Sequence, residues 1–318
     1  MMLSFFKRKL FPIGVDMGST TLKMAQLAYD GKKLHVIAGT KDDVPDDIKV
    51  GSSQWQHWVI KTMKQMLAQG TFKGRNVITA MPADDVFIDQ IKVPRTAEEK
   101  LQETVLSKIA GKLPFESKDA LVQHVVTNTA SEMDVLVMAT ERTKVDRHLA
   151  IYEKVGLHVQ TIGVWPLAMT ASYTHFFGRR RSDADVTAML LEVGANLTKV
   201  VICRHSHLLF ARLVPMGIKQ LENEEVAKKL VLELASSARY FEGAVKGAHV
   251  QRLIFLAGQA ADKNLCGSVV QLAQHLQVPA QIGDVLAAVE LVQQQGRTPE
   301  RRGSHVNWTN SFGLGLLQ

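Results

Sequence analysis

The chain has 318 residues, enough for about two domains with cores of their own, and its 46% apolar and 22% charged residues exclude a disordered chain. No stretch approaches the roughly 20 apolar residues that span a bilayer. The net charge of +7 raises nucleic acid as a partner, but the cations are scattered apart from Arg179-Arg180-Arg181 and Arg301-Arg302, and neither cluster is interleaved with aromatics that stack on bases, so none is expected.

In chain order, the opening MMLSFFKRK is too short for a secretory signal, and two cysteines, Cys203 and Cys266, give no disulfide framework; both features suit a cytoplasmic protein. Residues 11–16 read as a strand and 22–29 as a second. Asp30-Gly31 is a hairpin signal ahead of a third strand at 34–38. A polar loop, 40–53, leads to a helix at 55–69 whose tryptophans and methionines recur at helical spacing, and 76–80 is a buried strand.

A distinct α+β stretch follows. It has a strand at 86–93, a capping box at Thr96-Ala97-Glu98-Glu99 opening a helix to Leu113, strands at 121–127 and 135–140, and a helix ending at Gly156. His148 falls on a polar helix face and reads as solvated. A strand at 158–163 and a helix at 166–177 come next, and 178–185 is the best linker. The second half repeats the opening pattern: strands at 186–192, 197–203 and 208–214, a helix at 222–245 and a strand at 252–257. Helices are expected at 263–276 and 285–294, before a Gly/Leu-rich end. Cys203, His205 and His207 fall on a hairpin apex and read as a polar turn rather than a metal site.

The two halves align at their first strand-to-turn junction. One reads Asp16-Met17-Gly18-Ser19-Thr20-Thr21-Leu22-Lys23 and the other Glu192-Val193-Gly194-Ala195-Asn196-Leu197-Thr198-Lys199. Acid, apolar, glycine, small residue, three variable positions and lysine occur twice in the same order, each inside a strand–turn–strand. A turn that cradles phosphate needs glycine so that backbone N–H groups can approach anionic oxygens. Ser19, Thr20 and Thr21 add hydroxyls and Lys23 a cation, while Asp16 can hold Mg²⁺ through water.

At these residues the chain resembles the PilM family of actin-like type IV pilus assembly proteins and, more distantly, FtsA. Further matching motifs are Leu113-Pro114-Phe115-Glu116, the hairpin running from Leu208-Leu209-Phe210 to Pro215-Met216-Gly217, and ELASSARYF at 233–241. The resemblance implies an actin-like (ribonuclease H-like) α/β fold of two lobes. Residues 10–82 and 160–183 would form the first lobe, with an FtsA/PilM-type insertion at 83–159. Residues 184–217 and 251–318 would form the second lobe, with a shortened helical subdomain at 218–250. It implies ATP with Mg²⁺ in the cleft, held by Asp16, Gly18, Ser19, Thr20, Thr21 and Lys23 on one side. Glu192, Gly194, Ala195, Asn196, Thr198 and Gly217 would hold it on the other, with Gly258 and Gln259 at the adenosine turn and Asp16 at the metal. It also implies a peripheral place at the inner face of the cytoplasmic membrane, bound to the N-terminal cytoplasmic peptide of a PilN-like inner-membrane protein in a groove between first lobe and insertion, with self-association a further expectation.

Three features depart from the family pattern, one of them the helical subdomain, which is shorter than the family's. Glu192 stands where Asp is usual, and Gln259 replaces a glycine. The alternative is therefore a degenerate scaffold of a type II secretion-type system that binds no nucleotide. A small-molecule kinase of the same superfamily would need an acidic base beside a substrate pocket, and no such paired motif occurs in the first lobe.

Overall fold

The computed structural model describes residues 9–95, 98–129, 132–245, 247–258, 263–291 and 306–317. The first lobe is built on β1 (Lys9–Met17), β2 (Thr21–Tyr29), β3 (Leu34–Asp43), α1 (Ser53–Gln69), β4 (Asn76–Ala80), α3 (Arg142–Val155), β8 (His158–Gly163) and α4 (Trp165–Ser172). Between β4 and α3 lies the insertion, with β5 (Phe87–Pro94), α2 (Glu98–Ile109), β6 (Ala120–Thr129) and β7 (Glu132–Glu141). The second lobe has β9 (Thr187–Val193), β10 (Thr198–Arg204), β11 (His207–Val214), α5 (Glu224–Ala244), β12 (Arg252–Leu256), α6 (Lys263–Leu276) and β13 (Ala280–Gly283). The chain closes with β14 (Glu290–Leu291) and α7 (Thr309–Leu316).

The sheets make the duplication explicit. The first has strand order β14-β3-β2-β1-β4-β8 and the second β11-β10-β9-β12-β13. In each, an antiparallel three-strand meander is followed by two strands parallel to its first member. Because β1 and β9 are central, they are buried on both faces, which explains their near-continuous apolar sequences. The insertion is a separate antiparallel sheet, β5-β7-β6, with α2 on one face through Leu101, Val105 and Ile109. Its other face sends Leu136 and Ile88 onto Leu208 and Ala211 of the second lobe.

α4 and α7 cross between the lobes. Every residue of α7 is buried, the polar Thr309, Asn310 and Ser311 included. Glycine makes the crossing possible: a Cβ on Gly313 would lie 1.9 Å from the Ala168 carbonyl oxygen, and one on Gly14 of β1 would lie 1.8 Å from that of Ser311. The Ser172 hydroxyl donates to the Thr309 carbonyl at 2.6 Å, tying the two helices.

The structure corrects several expectations. The last part of the segment assigned to the second lobe returns to the first: β14 pairs with β3, and Trp308, Phe312 and Leu316 share a core with Phe11, Leu27 and Val36. The helix expected at 285–294 is instead a turn, closed by the Asp284 carboxylate accepting from the Leu286 N–H at 2.9 Å, then β14; its remainder lies outside the described residues. The capping-box residues Thr96 and Ala97 also lie outside them, and α2 ends at Ile109 in turn bonds rather than running to Leu113. Residues 178–185 are not a loose linker, because buried Asp183 accepts from Arg252 at 3.0 Å and from the Arg180 N–H at 3.1 Å. His148 is buried, at 4% exposure, rather than solvated.

Candidate functional site

The two turns converge on one cavity of about 450 Å³ between the lobes. Asp16, Gly18, Ser19, Thr20, Thr21 and Lys23 line it from one side, and Glu192, Gly194, Ala195 and Asn196 from the other. Each turn is closed in the same way: the Gly18 N–H donates to the Thr21 carbonyl at 3.0 Å, and the Gly194 N–H to the Leu197 carbonyl at 2.8 Å. The glycine N–H groups are thus spent inside the turns. The N–H groups of Ser19, Thr20, Ala195 and Asn196 have no protein acceptor among the described residues. Those four donors are the ones left for an anion.

Each acid faces its lysine across the ladder, Asp16 opposite Lys23 and Glu192 opposite Lys199. Lys23 Nζ lies 3.0 Å from Asp16 Oδ2 and donates to the Asn307 carbonyl at 2.9 Å. Lys199 Nζ lies 3.4 Å from Glu192 Oε1, a longer pairing. Burial acts to raise the pKa of Asp16, but Lys23 and Lys199 beside it, with hydrogen bonds from Lys23 and Asn310, hold it below the usual carboxylate value. Burial acts to lower that of Lys23, and the carboxylates of Asp16 and Glu192 outweigh it, so the ammonium is kept. The site is a pair of acid–lysine couples facing each other, and the Asp16–Lys23 couple is held in its charged form.

Sequence reasoning missed Lys199, Asn307 and Asn310 as cavity residues. The duplication carried the signal for Lys199, the counterpart of Lys23. No such signal marked the asparagines, which the C-terminal segment carries into the cleft. Asn310 Nδ2 donates to both Glu192 oxygens, at 3.0 and 3.3 Å, while its Oδ1 is buried with no protein donor.

Three expected contacts are not made as drawn. Thr198 is fully buried and its hydroxyl donates to the Met216 carbonyl at 2.8 Å, so it braces the strand behind the turn and does not face the cavity. Gly217 stands behind the second turn as well: a Cβ there would lie 2.5 Å from Ala195 C and Asn196 N, so only glycine lets this backbone pass so close. Gly258 is buried but does not line the cavity, and Gln259 lies outside the described residues.

A buried cluster sits beneath the first turn. The Thr79 hydroxyl donates to the Val15 carbonyl at 3.3 Å and contacts His148 Nε2 at 3.1 Å and the Tyr152 hydroxyl. Burial pushes the His148 imidazole down to about 4, against a small opposing pull from Asp85, and pushes the Tyr152 phenol up. His148 also reaches a small pocket of about 140 Å³ on the first lobe, between α1 and α3 where the chain enters the insertion at Asp85, lined also by Val50, Trp55, Lys144 and Arg147.

The fold is shared with known actin-like proteins. The chain aligns with a PilM–PilN type IV pilus biogenesis complex at 18% identity and a TM-score of 0.78, covering 96% of this chain and 97% of the other. The ethanolamine utilization protein EutJ from Carboxydothermus hydrogenoformans aligns at 11% identity and TM-score 0.52, over 96% of this chain and 89% of its own. A Bacteroides thetaiotaomicron protein with an actin-like ATPase fold gives 10%, 0.50, 91% and 96%. Among the described residues no helix is long and apolar enough to cross a membrane. The family model described as "Type IV pilus assembly protein PilM" matches residues 14–229, more than half of the sequence. The chain therefore belongs to the PilM family of actin-like type IV pilus assembly proteins.

Proposed function

We propose that this protein is an assembly scaffold of the pilus base whose cleft takes a nucleoside triphosphate, and whose first lobe and insertion capture an extended peptide from a PilN-like inner-membrane protein. The observation that carries the nucleotide reading is the meeting of two duplicated turns, with four backbone N–H groups lacking protein acceptors, around one cavity. These donors fit phosphate oxygens, and Lys23 and Lys199 supply the cations; Asp16 is the residue to hold Mg²⁺ through water. The orphaned Asn310 Oδ1 suits a hydroxyl or a metal-bound water. A bound triphosphate would touch both lobes, and it can shift their angle only because it contacts both. Without it, the lobes are tied by the Asn310 amide on Glu192.

Peptide capture rests on the pocket between α1 and α3, beside the point where the insertion leaves the first lobe. Its apolar wall, Val50 and Trp55, faces the polar Asp85, Lys144 and Arg147, and the Trp55 indole N–H is buried with no protein acceptor. An indole donor without a partner suits a peptide carbonyl. The partner itself comes from the likeness to a PilM bound to PilN. The test is fluorescence anisotropy with the labelled N-terminal tail of the PilN-like protein, with and without Mg-ATP. Binding that weakens at least tenfold in Arg147→Glu, an exposed residue of the pocket, supports the groove; unchanged binding moves the peptide elsewhere.

A further inference from the structure

The pole of the first sheet opposite the cavity carries a chemistry that the cleft does not use. β1 and β4 run in the same direction, so the residues entering them sit together, about 20–25 Å from Asp16 at the usual rise per strand residue. Leu10, Lys73, Arg75 and His158 line one groove of about 450 Å³ there. Lys9, paired with Tyr29, and the hairpin that carries Lys32 and Lys33 lie at the same end of the sheet. Leu10 is 44% exposed and Tyr29 38%.

The surface is cationic and held in place. Among the described residues, Lys9, Lys32, Lys33, Lys73 and Arg75 share it with the carboxylates of Asp30 and Glu290, and both of these are engaged. Asp30 accepts from the N–H groups of Lys32 and Lys33 at 2.9 Å each and from His35 at 2.6 Å, and Glu290 pairs with Lys33 at 2.8 Å. The Gln26 amide clamps the loop that carries Lys73 and Arg75, donating to the Lys73 carbonyl at 2.8 Å and accepting from its N–H at 2.8 Å.

We propose that this pole is the docking surface for an anionic lipid bilayer. Cations ringing exposed apolar groups are what a charged membrane interface selects, and neither a short apolar segment nor a basic patch alone binds durably. A single-stranded nucleic acid would want a row of exposed aromatic faces, whereas among the described residues of this surface Tyr29 is the one exposed aromatic. This inference rests on the pilus-base reading for the presence of a membrane. It adds an orientation: the cavity faces away from the bilayer, and a partner tail needs about six extended residues to climb the lobe.

The experiment is co-sedimentation of the full chain with vesicles of phosphatidylcholine, with and without phosphatidylglycerol. Binding is expected only with phosphatidylglycerol and is lost at high salt. Lys73→Glu with Arg75→Glu should weaken it at least about 25-fold, at about fivefold for each cation, while Arg179→Glu leaves it unchanged. If the reversed pair fails to fold, Lys73→Ala with Arg75→Ala is read instead, with the same sign. Equal binding by the variant overturns the proposal, as does indifference to phosphatidylglycerol. Binding of single-stranded DNA without vesicle binding would assign the surface to nucleic acid. Peptide capture is measured separately, so either reading can fail alone.

Discussion

The two cleft turns share a backbone and differ in their chemistry. Both close with a glycine N–H on the third following carbonyl, and both set an acid opposite a lysine. The first holds its pair at 3.0 Å and offers hydroxyls from Ser19, Thr20 and Thr21. The second offers Ala195 and Asn196, and its pair is looser at 3.4 Å. The extra methylene of Glu192 brings its carboxylate to Asn310, a residue of the helix that packs on the first lobe. The longer Glu192 side chain thus has a structural use: the second turn alone joins its acid to the C-terminal helix through two hydrogen bonds from the Asn310 amide.

The largest effect should come from breaking the tighter pair. Lys23→Met leaves Asp16 buried without its partner and should cost about 3 kcal/mol by urea denaturation, the low end for a broken buried pair because Lys199 stays near. Adding Asp16→Asn should recover part of that loss; no recovery would mean the two charges do not act as a pair. For the same reason Asp16→Ala is a poor probe of nucleotide binding, since it strands Lys23.

Next is the buried imidazole beneath the first turn, which has no counterpart described in the second. His148 titrates at about 4 folded and near 6.5 unfolded. As pH falls below 6.5 the unfolded chain takes up the proton first, so stability is full above that value and drains away down to about 4. At pH 5 the loss is about 2 kcal/mol. His148→Gln should flatten the stability difference between pH 7 and pH 5; an unchanged slope would place the titration elsewhere.

A comparable loss, about 1–3 kcal/mol, is expected from Gly217→Ala, whose methyl must push the second turn away. A melting temperature equal to that of wild type would show that the turn yields freely. The smallest effect belongs to Glu192→Asp. Withdrawing the carboxylate from Asn310 should cost about 1 kcal/mol and open the lobes detectably in small-angle scattering without nucleotide. An unchanged scattering profile would deny the latch.

Most of the fold was legible because the duplicated strand–turn–strand carries its own check: the sequence pattern of β1 and β2 recurs in β9 and β10. What escaped detection lies where tertiary contacts outweigh local pattern. The end of the chain looked merely rich in glycine and leucine; its glycines let α7 pack against Ala168 and β1, a purpose visible only once both partners are placed. His148 looked solvated because its helical neighbours are charged, yet the helix turns it inward to Thr79. Thr198 and Gly217 were placed in the cleft by the family resemblance, whereas they support the turn from behind.

The most direct measurement is calorimetric titration of the folded protein with Mg-ATP, beside two variants that spare the buried pairs, Thr20→Val in the first turn and Asn196→Ala in the second. Convergence on a shared anion predicts wild-type binding tighter than about 1 mM, weakened in both variants. No binding by the wild type, or weakening confined to one turn, would contradict it.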